Sequence, residues 1–264
     1  MLEIIKEHKG FWRTILKLAR VDLIKTYRGS ALGWAWSIIK PSVTIFVYWF
    51  AFSIGLRAAK VIDDYPFFIW LIVGIIPWFY MSEMITQGTE AIRSYRHLVT
   101  KMNFPVSTIS TFVSLSKLFV SLCMIGVVII IYVANGYPLD IYILQLPFYI
   151  LAMFLFFTAW SIFASPLAAI SKDFSNFVKS FTTAIFWISG IMWDPSKIST
   201  DWLRILLKVN PVTYIAEGFR DIFIHKVWFF EKKETIVFGI VLLIMTLLAN
   251  SIYNKLRKDI PDVL

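Results

Sequence analysis

The sequence has little of what enzymes use for chemistry. Its 264 residues include a single cysteine, Cys123, which excludes an internal disulfide and a cysteine-based zinc site. The three histidines, His8, His97 and His225, are far apart along the chain. There is no GxxxxGK(S/T) phosphate loop, no GxSxG motif and no HExxH motif. We therefore expect no catalytic residue, metal or cofactor in this chain, and any ATP hydrolysis must come from another protein.

Charged residues are scarce as well. They make up 16% of the chain, against about 25% in soluble proteins, while 58% of the residues are hydrophobic and the mean hydropathy is +0.71. This composition predicts an all-α integral membrane protein, because a helix satisfies its own backbone hydrogen bonds and crosses the bilayer with about 20 apolar residues. We predict six transmembrane helices, at 34–56, 65–88, 105–134, 141–170, 174–192 and 235–254.

Lysine and arginine residues indicate how these spans are oriented. They are concentrated before the first span and recur after the second, fourth and last spans, whereas the connection 135–140 has none. Since basic residues are retained on the cytoplasmic side, both termini are predicted to be cytoplasmic. The net charge of +9 then reflects membrane topology, and we expect no nucleic-acid partner.

Residues 1–30 have the pattern of a basic amphipathic helix. Apolar residues between Ile4 and Ala19 recur at helical spacing on one side, while basic residues such as Lys9 and Arg13 occupy other positions. Such a helix is suited to lie in the membrane interface, against lipid headgroups. We predict a cytoplasmic interface helix that leads into the first span.

The connection after the second predicted span, EAIRSYRHLVTKMNFPVS, is helical in pattern up to Pro105. It has an apolar stripe formed by Ile92, Tyr95, Val99 and Met102. A short helix that exposes such a stripe at the membrane surface is a docking surface for another protein. The connection after the fourth span, residues 171–180, is shorter.

The segment 193–230 is too charged to cross the membrane, yet its apolar residues recur at helical spacing. Asn210-Pro211 divides it, because proline cannot donate a backbone hydrogen bond and restricts the residue before it. We predict two short re-entrant helices that enter the outer leaflet and return, with Glu217 and Arg220 paired three residues apart. Nonhelical backbone at that depth is tolerated only beside protein or a water-filled path, so this element is predicted to gate a passage.

Ionisable residues are rare inside the predicted spans, where Glu83 and Lys117 are the main ones. Aromatic residues are abundant, and interfacial belts account for many of them. Four aromatic residues inside spans are candidates to line a passage, where their rings either stack on sugar faces or pack against lipid. These four are Trp49, Phe50, Phe186 and Trp187.

Four stretches of the sequence resemble one family of transporters. They are DLIKTYRGSALGWAWSIIKP (22–41), KMNFP (101–105), KDF (172–174) and VNPVTYIAEGFRDIF (209–223). Together with the basic amphipathic helix, they look like the permease subunit of type-2 ABC exporters that move polysaccharides. The resemblance covers essentially the whole chain. It is closest to the wall teichoic acid translocation permeases, with the O-antigen and capsule exporters as relatives.

The resemblance implies a machine of four subunits. Two permeases form a homodimer in the bacterial cytoplasmic membrane, and each docks on an ABC ATPase subunit that binds ATP and Mg. A lipid-linked polysaccharide, of the undecaprenyl-pyrophosphate type, moves outward through the dimer. Residues 91–104 and 172–176 then look like the two coupling helices, and the helices at 197–208 and 211–225 look like the outer gate.

The resemblance also implies roles for single residues. Arg20, Lys25 and Arg28 are either candidates for contacting the lipid pyrophosphate or simple positive-inside residues. The residues expected to couple to the ATPase are Tyr95, Arg96, Val99, Met102, Phe104, Lys172 and Asp173. The residues expected at the outer gate are Asn210, Pro211, Glu217 and Arg220. The family often has Arg-Asp where this chain has Lys172-Asp173, and lysine lacks the bidentate fork of arginine.

Other functions stay open at this point. An exporter of a small molecule, drug or other lipid with the same fold needs no lipid-phosphate site, and dispensable Arg20, Lys25 and Arg28 would favour it. An autonomous secondary carrier would use Glu83 and Lys117, but it needs coupling carboxylates and inverted repeats that the sequence lacks. A membrane enzyme needs acidic and histidine clusters, which are also missing.

Overall fold

The computed structural model describes residues 4, 7–27, 29–55, 61–62, 65–101, 104–260 and 264. Two short strands, β1 (Val61–Ile62) and β2 (Tyr65–Pro66), pair in antiparallel fashion. The α-helices of the described residues are α1 (Trp12–Tyr27), α2 (Trp36–Phe50), α3 (Phe67–Thr86), α4 (Ala91–Ser94), α5 (Arg96–Lys101), α6 (Ser107–Ala134), α7 (Leu146–Ile170), α8 (Lys172–Ile188), α9 (Asp201–Val209), α10 (Pro211–Arg220) and α11 (Lys233–Leu256). Short 3-10 helices are Gly33–Ala35, Ile141–Gln145, Pro195–Lys197 and Phe229–Glu231, and π-helices are Ala51–Gly55 and Asp221–His225.

Four stretches of the described residues are long and apolar enough to cross a membrane, and they contain α3, α6, α7 and α11. Their bounds are Phe67–Thr86, Ser107–Ala134, Ile141–Ile170 and Lys233–Leu256. The first and fifth predicted spans are also helical, but α2 has 15 residues and α8 has 17. At 1.5 Å per residue, α2 covers about 22 Å, less than the roughly 30 Å of the hydrocarbon core, although a π-helix extends it. The count of six spans stays a prediction.

The start of α8 differs from the bound expected from the sequence. The helix begins at Lys172, because the Ser171 hydroxyl accepts a hydrogen bond from the Phe174 amide at 3.4 Å and caps the helix. Residues 172–176 therefore lie in the first turns of α8, and their role as the second coupling helix stays a prediction. The connection after the fourth predicted span and the fifth predicted span therefore belong to one continuous helix.

Helix α3 lies at the centre of the bundle. Its sequence, FFIWLIVGIIPWFYMSEMIT, is apolar on nearly every side, which is typical of a helix surrounded by protein. Of its most apolar 18 residues, 78% are buried, against 17% for α11. It packs against α2, α6, α7, α8 and α10. The other long helices surround α3 and expose apolar side chains on the outside of the bundle.

Hydroxyl groups connect the helices around α3. The Ser114 hydroxyl of α6 lies 2.7 Å from the Tyr80 hydroxyl of α3 and 2.6 Å from the Thr158 hydroxyl of α7. Ser161 of α7 donates a hydrogen bond to the Gly88 carbonyl at 2.7 Å. In apolar surroundings a buried hydroxyl without a partner is costly, and interhelical bonds of this kind stabilise membrane bundles.

A carboxylate near the N-terminus joins two distant parts of the chain. Glu7 accepts hydrogen bonds from the Ser107 amide at 3.3 Å and from the Tyr253 hydroxyl of α11 at 2.7 Å. The amides at the start of α6 have no partner within the helix, and a negative charge is favourable there. Beside it, His8 Nε2 lies 2.8 Å from the Thr111 hydroxyl. The N-terminal segment is thus fixed to the first turns of α6 and the last turns of α11.

The close approach of α7 and α10 at Gly218 can be tested by substitution. A Cβ atom added to Gly218 would lie 2.0 Å from Cε1 of Tyr149, whereas one added to Gly239 of α11 would meet nothing within 4 Å. We expect Gly218→Ala to lower the free energy of unfolding by about 1–3 kcal/mol, the usual cost of overpacking. Gly239→Ala should be neutral or slightly stabilising. Equal melting temperatures for the two variants in detergent would contradict this packing.

Candidate functional site

The basic residues of α1 lie in different surroundings. The apolar side of α1 packs against α6, and the exposed Arg20 lines an apolar cavity of about 590 Å³ between these helices. Lys25 is also exposed, and its Nζ lies 4.7 Å from the centre of the Tyr95 ring, within cation–π distance. Arg28 lies outside the described residues. The structure therefore does not bring Arg20 and Lys25 onto one common point.

A buried carboxylate fixes α1 to the joint between α4 and α5. The Tyr95 hydroxyl donates a hydrogen bond to Oδ1 of Asp22, which is 8% exposed. Burial, followed by the hydrogen bond to Asp22 and its charge, raises the pKa of Tyr95, so the phenol stays protonated and keeps donating. The ring of Tyr95 also packs edge-on against Phe112 of α6, with centres 4.8 Å apart. Sequence reasoning missed this contact, because no local pattern pairs two residues 73 positions apart.

The apolar stripe of the segment 91–101 faces the protein. Ile92, Tyr95 and Val99 are all less than a tenth exposed and pack with α1 and the start of α6. The interpretation of this stripe as an exposed docking surface is therefore wrong, since the chain's own core removes the same apolar area from water. The exposed side carries Arg96 and His97 instead. A partner that docks here meets polar and charged groups.

The remaining coupling candidates have different exposure. Phe104 is partly buried, with its ring edge-on to Phe11 at a centre distance of 6.1 Å. Lys172 and Asp173 are exposed in the first turn of α8, where the helix N-terminus favours the Asp173 carboxylate. Met102 lies outside the described residues. The exposed coupling candidates are therefore Arg96, Lys172 and Asp173.

A second polar contact connects the start of α4 to α8. The Glu90 carboxylate accepts hydrogen bonds from Lys179 Nζ at 2.6 Å and from the Ser175 hydroxyl at 2.8 Å. Burial alone would raise the pKa of Glu90, but these hydrogen bonds and the positive charges of Lys179 and Arg93 outweigh burial and lower it. Arg93 also donates to the Ala169 carbonyl at 3.4 Å. Helix α4 is thus held to α7 and α8.

Helices α9 and α10 are fixed where they meet, at Asn210 and Pro211. The Asn210 side chain accepts a hydrogen bond from the Val212 amide at 2.9 Å and caps α10. Its Nδ2 donates to the Ser189 hydroxyl at 2.8 Å, which connects the pair to the end of α8. Pro211 occupies the first position of α10, where its missing N–H leaves no hydrogen bond unmade.

The guanidinium of Arg220 is enclosed beneath this pair. The side chain is 0% exposed, and one Nη donates to Glu217 Oε1 at 2.6 Å. The Nη atoms also donate to the carbonyls of Gly190 at 3.0 Å and Ile191 at 2.6 Å. The pair that the sequence places three residues apart is therefore one part of a larger contact. It holds the loop after α8 against α10.

Two residues of the central helix make room for this guanidinium. The Trp70 ring lies under it, with its centre 3.6 Å from the guanidinium carbon. A Cβ atom added to Gly74 would lie 2.4 Å from Nη2 of Arg220, so a larger side chain cannot fit without displacing the arginine. Cation–π attraction is strongest for a desolvated cation over tryptophan. Helix α3, the loop after α8 and α10 therefore converge on one side chain.

The four aromatic residues expected along a passage do not share one surface. Phe186 is buried in the core, with its ring stacked on Tyr48 at a centre distance of 5.6 Å. Trp187, the next residue, is exposed, as is Phe50, while Trp49 is partly buried. Phe186 therefore packs α8 onto α2. The exposed rings of Phe50 and Trp187 are the ones available to a passage or to lipid.

Comparison with known proteins gives one family and several relatives. The family model described as "ABC-2 type transporter" matches residues 13–224, from α1 through α10. An O-antigen export system permease protein RfbA of Myxococcus xanthus is 23% identical over 264 residues, which is 99% of each chain. Two proteins of the same description from Klebsiella pneumoniae are 25% and 24% identical, over 95% of this chain and 94% of theirs. With this family match and four apolar helices among the described residues, the chain is an integral membrane protein.

The enclosed guanidinium predicts a large effect of substitution. Arg220→Met leaves Glu217 and two carbonyls without their donor, so we expect the free energy of unfolding to fall by about 3 kcal/mol. Arg220→Lys should recover only part of this loss, because lysine lacks the planar fork. Arg204→Met removes an exposed arginine of α9 and should change stability by less than about 0.5 kcal/mol. If Arg220→Met and Arg204→Met have the same melting temperature in detergent, the role given to the guanidinium is wrong.

The Glu90 contact predicts a defined pH dependence. Because the pKa of Glu90 is lower in the folded than in the unfolded state, its ionised form stabilises the fold above the unfolded value of about 4.3. The contribution is lost as the pH falls through the folded pKa. We expect Glu90→Gln to melt below the wild type at pH 7 and to approach it in acid, whereas Asp259→Asn, at an exposed position, should track the wild type throughout. A difference for Glu90→Gln that stays constant with pH would contradict the contact.

Proposed function

The chain belongs to the ABC-2 type transporter family, and we propose that it is the permease subunit of an ATP-driven exporter of a lipid-linked cell-surface polysaccharide. The observation that carries this proposal is similarity along essentially the whole chain to permeases described as O-antigen export proteins. The motifs at 22–41 and 209–223 support the same function. The proposed location of the chain is the bacterial cytoplasmic membrane.

We assign ATP hydrolysis to a separate subunit. ABC-2 permeases work with an ATPase, and this sequence has no phosphate loop of its own. The proposed complex has two copies of this chain and two ATPase subunits, with ATP and Mg bound only by the latter. Closure of the ATPase pair would then favour one of two arrangements of the permeases, which is a rigid-body switch driven by differential contacts.

The proposed arrangement in the membrane has six spans and cytoplasmic termini. Helix α2 with its π-helical extension and helix α8 would be the first and fifth spans, beside the four longer helices. Helices α9 and α10 would form the outer gate. The enclosed Arg220 supports a fixed position for α10 in this arrangement, because it joins α10 to the loop after α8.

The surface that we assign to the ATPase carries Arg96, Lys172 and Asp173. Directly behind Arg96, Tyr95 binds Asp22 of α1, and Glu90 at the start of α4 binds Lys179 of α8. The buried stripe of α4 and α5 fills the space between these contacts. A force applied to this surface would therefore move α1, α4 and α8 together. The two contacts are the physical link from the ATPase to the spans.

We assign entry of the lipid carrier to α1. Arg20, Lys25 and Arg28 would contact the pyrophosphate at successive positions as the carrier enters, because Arg20 and Lys25 do not converge on one point and their charged groups suit anionic oxygens. The apolar cavity of about 590 Å³ beside Arg20 supports this assignment, because its walls of α1 and α6 suit a hydrocarbon chain. An exporter of a small molecule, drug or other lipid remains the alternative, and it would tolerate glutamine at Arg20 and Lys25.

The identity of the exported polymer is the most specific part of the proposal. The sequence motifs favour wall teichoic acid, whereas the relatives are described as exporters of O-antigen. Both polymers are carried on a lipid pyrophosphate, so the reducing-end anchor does not separate them. The test measures the rate of ATP hydrolysis by the reconstituted complex with each lipid-linked polymer added in turn. The polymer that changes this rate is the substrate.

The assigned docking surface predicts the effect of one charge reversal. Arg96→Glu should weaken binding of the candidate ATPase about tenfold, or about 1.4 kcal/mol, because it places a like or unpaired charge in the contact. Co-purification in detergent gives the stoichiometry, and titration gives the affinity. Arg204→Glu, on the proposed outer side, is the matched control and should bind normally. Normal binding by both variants would remove Arg96 from the interface, and no binding by the unchanged chain would overturn the exporter proposal.

A further inference from the structure

Two adjoining cavities lie between α2, α3 and α6. One of them, of about 210 Å³, is lined by three charged residues, Lys40 of α2, Glu83 of α3 and Lys117 of α6. The other, also of about 210 Å³, is lined almost entirely by apolar side chains of the same helices. Ile76 and Met124 line both cavities, so the polar and the apolar space meet.

The polar cavity contains a buried cation with little compensation. Lys117 is 5% exposed, and its nearest carboxylate oxygen, Oε2 of Glu83, is 3.6 Å from Nζ, too far for a hydrogen bond. Lys40, on another wall, forms no ion pair with a residue in the described part of the chain. An ammonium group as buried as that of Lys117 is costly without hydrogen-bond acceptors. The cavity therefore favours an occupant that supplies negatively charged oxygen atoms.

A hydroxyl in the same cavity also lacks a partner. Ser121 follows Lys117 by one turn of α6, so the two side chains lie on one face. Ser121 is 4% exposed, and its Oγ has no hydrogen-bond partner among residues 4–264 as far as these are described. Both groups line the polar cavity. One oxyanion in this space can accept hydrogen bonds from Lys117 and Ser121 together.

The apolar cavity continues from this point along α3. Its walls include Ile45 and Trp49 of α2, Phe68 at the start of α3 and Ile131 near the end of α6. Glu83 lies one turn from the other end of α3, which we propose to face the cytoplasm. The polar cavity is therefore at the level of inner-leaflet headgroups, and the apolar cavity extends from it into the hydrocarbon region. This combination has the shape of one lipid molecule.

We propose that α2, α3 and α6 bind one anionic phospholipid of the inner leaflet. Its phosphodiester lies between Lys40 and Lys117, Ser121 donates to a phosphate oxygen, and one acyl chain fills the apolar cavity. Two positive charges and one negative charge leave the polar cavity with a net charge of +1, which matches the single negative charge of a phosphodiester. A lipid pyrophosphate carries more charge than this cavity neutralises. Anionic phospholipids are enriched at the cytoplasmic face.

The test is a lipid titration of the purified full-length chain, followed by native mass spectrometry. The probe is dioleoylphosphatidylglycerol, and dioleoylglycerol, which has the same chains without phosphate, is the comparison. We expect Lys117→Met and Lys40→Met each to weaken phosphatidylglycerol binding about tenfold, the effect of losing one charge-assisted hydrogen bond. Lys258→Met, at an exposed lysine after α11, is the matched control and should leave binding unchanged. Val127→Trp should also weaken binding, because it fills the apolar cavity.

Three results would overturn the proposal. The first is equal binding by Lys40→Met and Lys258→Met, a comparison that survives even if Lys117→Met fails to fold, because Lys40 is exposed and Lys258 lies outside the cavity. The second is dioleoylglycerol binding as tightly as phosphatidylglycerol, which would make the phosphate irrelevant. The third is displacement by undecaprenyl pyrophosphate at much lower concentration, which would make this a carrier site. The placement of the cavity at the inner leaflet rests on the proposed orientation, but no ATPase or polymer is present in this experiment, so absence of phospholipid binding leaves the exporter proposal standing.

Discussion

A charged side chain inside an apolar bundle is costly without partners, and this constraint organises much of the structure. Arg220 has several partners, although its Nε has none among the described residues. Its guanidinium needs the acceptors of the loop after α8, the carboxylate of Glu217 and the face of Trp70, and it needs the space left by Gly74. These partners come from three separate elements. The central helix therefore cannot shift without breaking contacts to α10, so α3, α10 and the loop after α8 form one mechanical unit.

The opposite end of the bundle is organised in the same way by carboxylates. Asp22 binds Tyr95, Glu90 binds Lys179, and each contact connects elements that are distant in sequence. In a membrane the lipid chains are as apolar as leucine, so apolar surfaces alone do not choose one helix packing over another. Hydrogen bonds at defined points supply that choice. Because polar residues are sparse in this apolar bundle, each of these hydrogen bonds favours one particular helix packing over others.

The sequence predicts the local features of this structure and misses the long-range ones. Its composition indicates membrane helices, Asn210-Pro211 indicates a helix break, and the spacing of Glu217 and Arg220 indicates a pair, because each follows from residues within one or two turns. The stripe at Ile92, Tyr95 and Val99 is visible in the sequence, but periodicity does not tell whether the chain itself or a partner covers it. The partner of Glu90 is 89 positions away, and no local rule connects them. The start of α8 depends on the capping hydrogen bond of the Ser171 side chain, which the hydropathy pattern does not predict.

The contact between Glu7 and Tyr253 has a consequence for how the protein is made. These residues are 246 positions apart, so the tyrosine is synthesised long after the carboxylate. Until then the carboxylate can reach the start of α6 but not the last helix. Contacts of such sequence separation form late, since the intervening chain must be ordered first. The last helix therefore completes a contact whose other side, Glu7 at the start of α6, is available earlier.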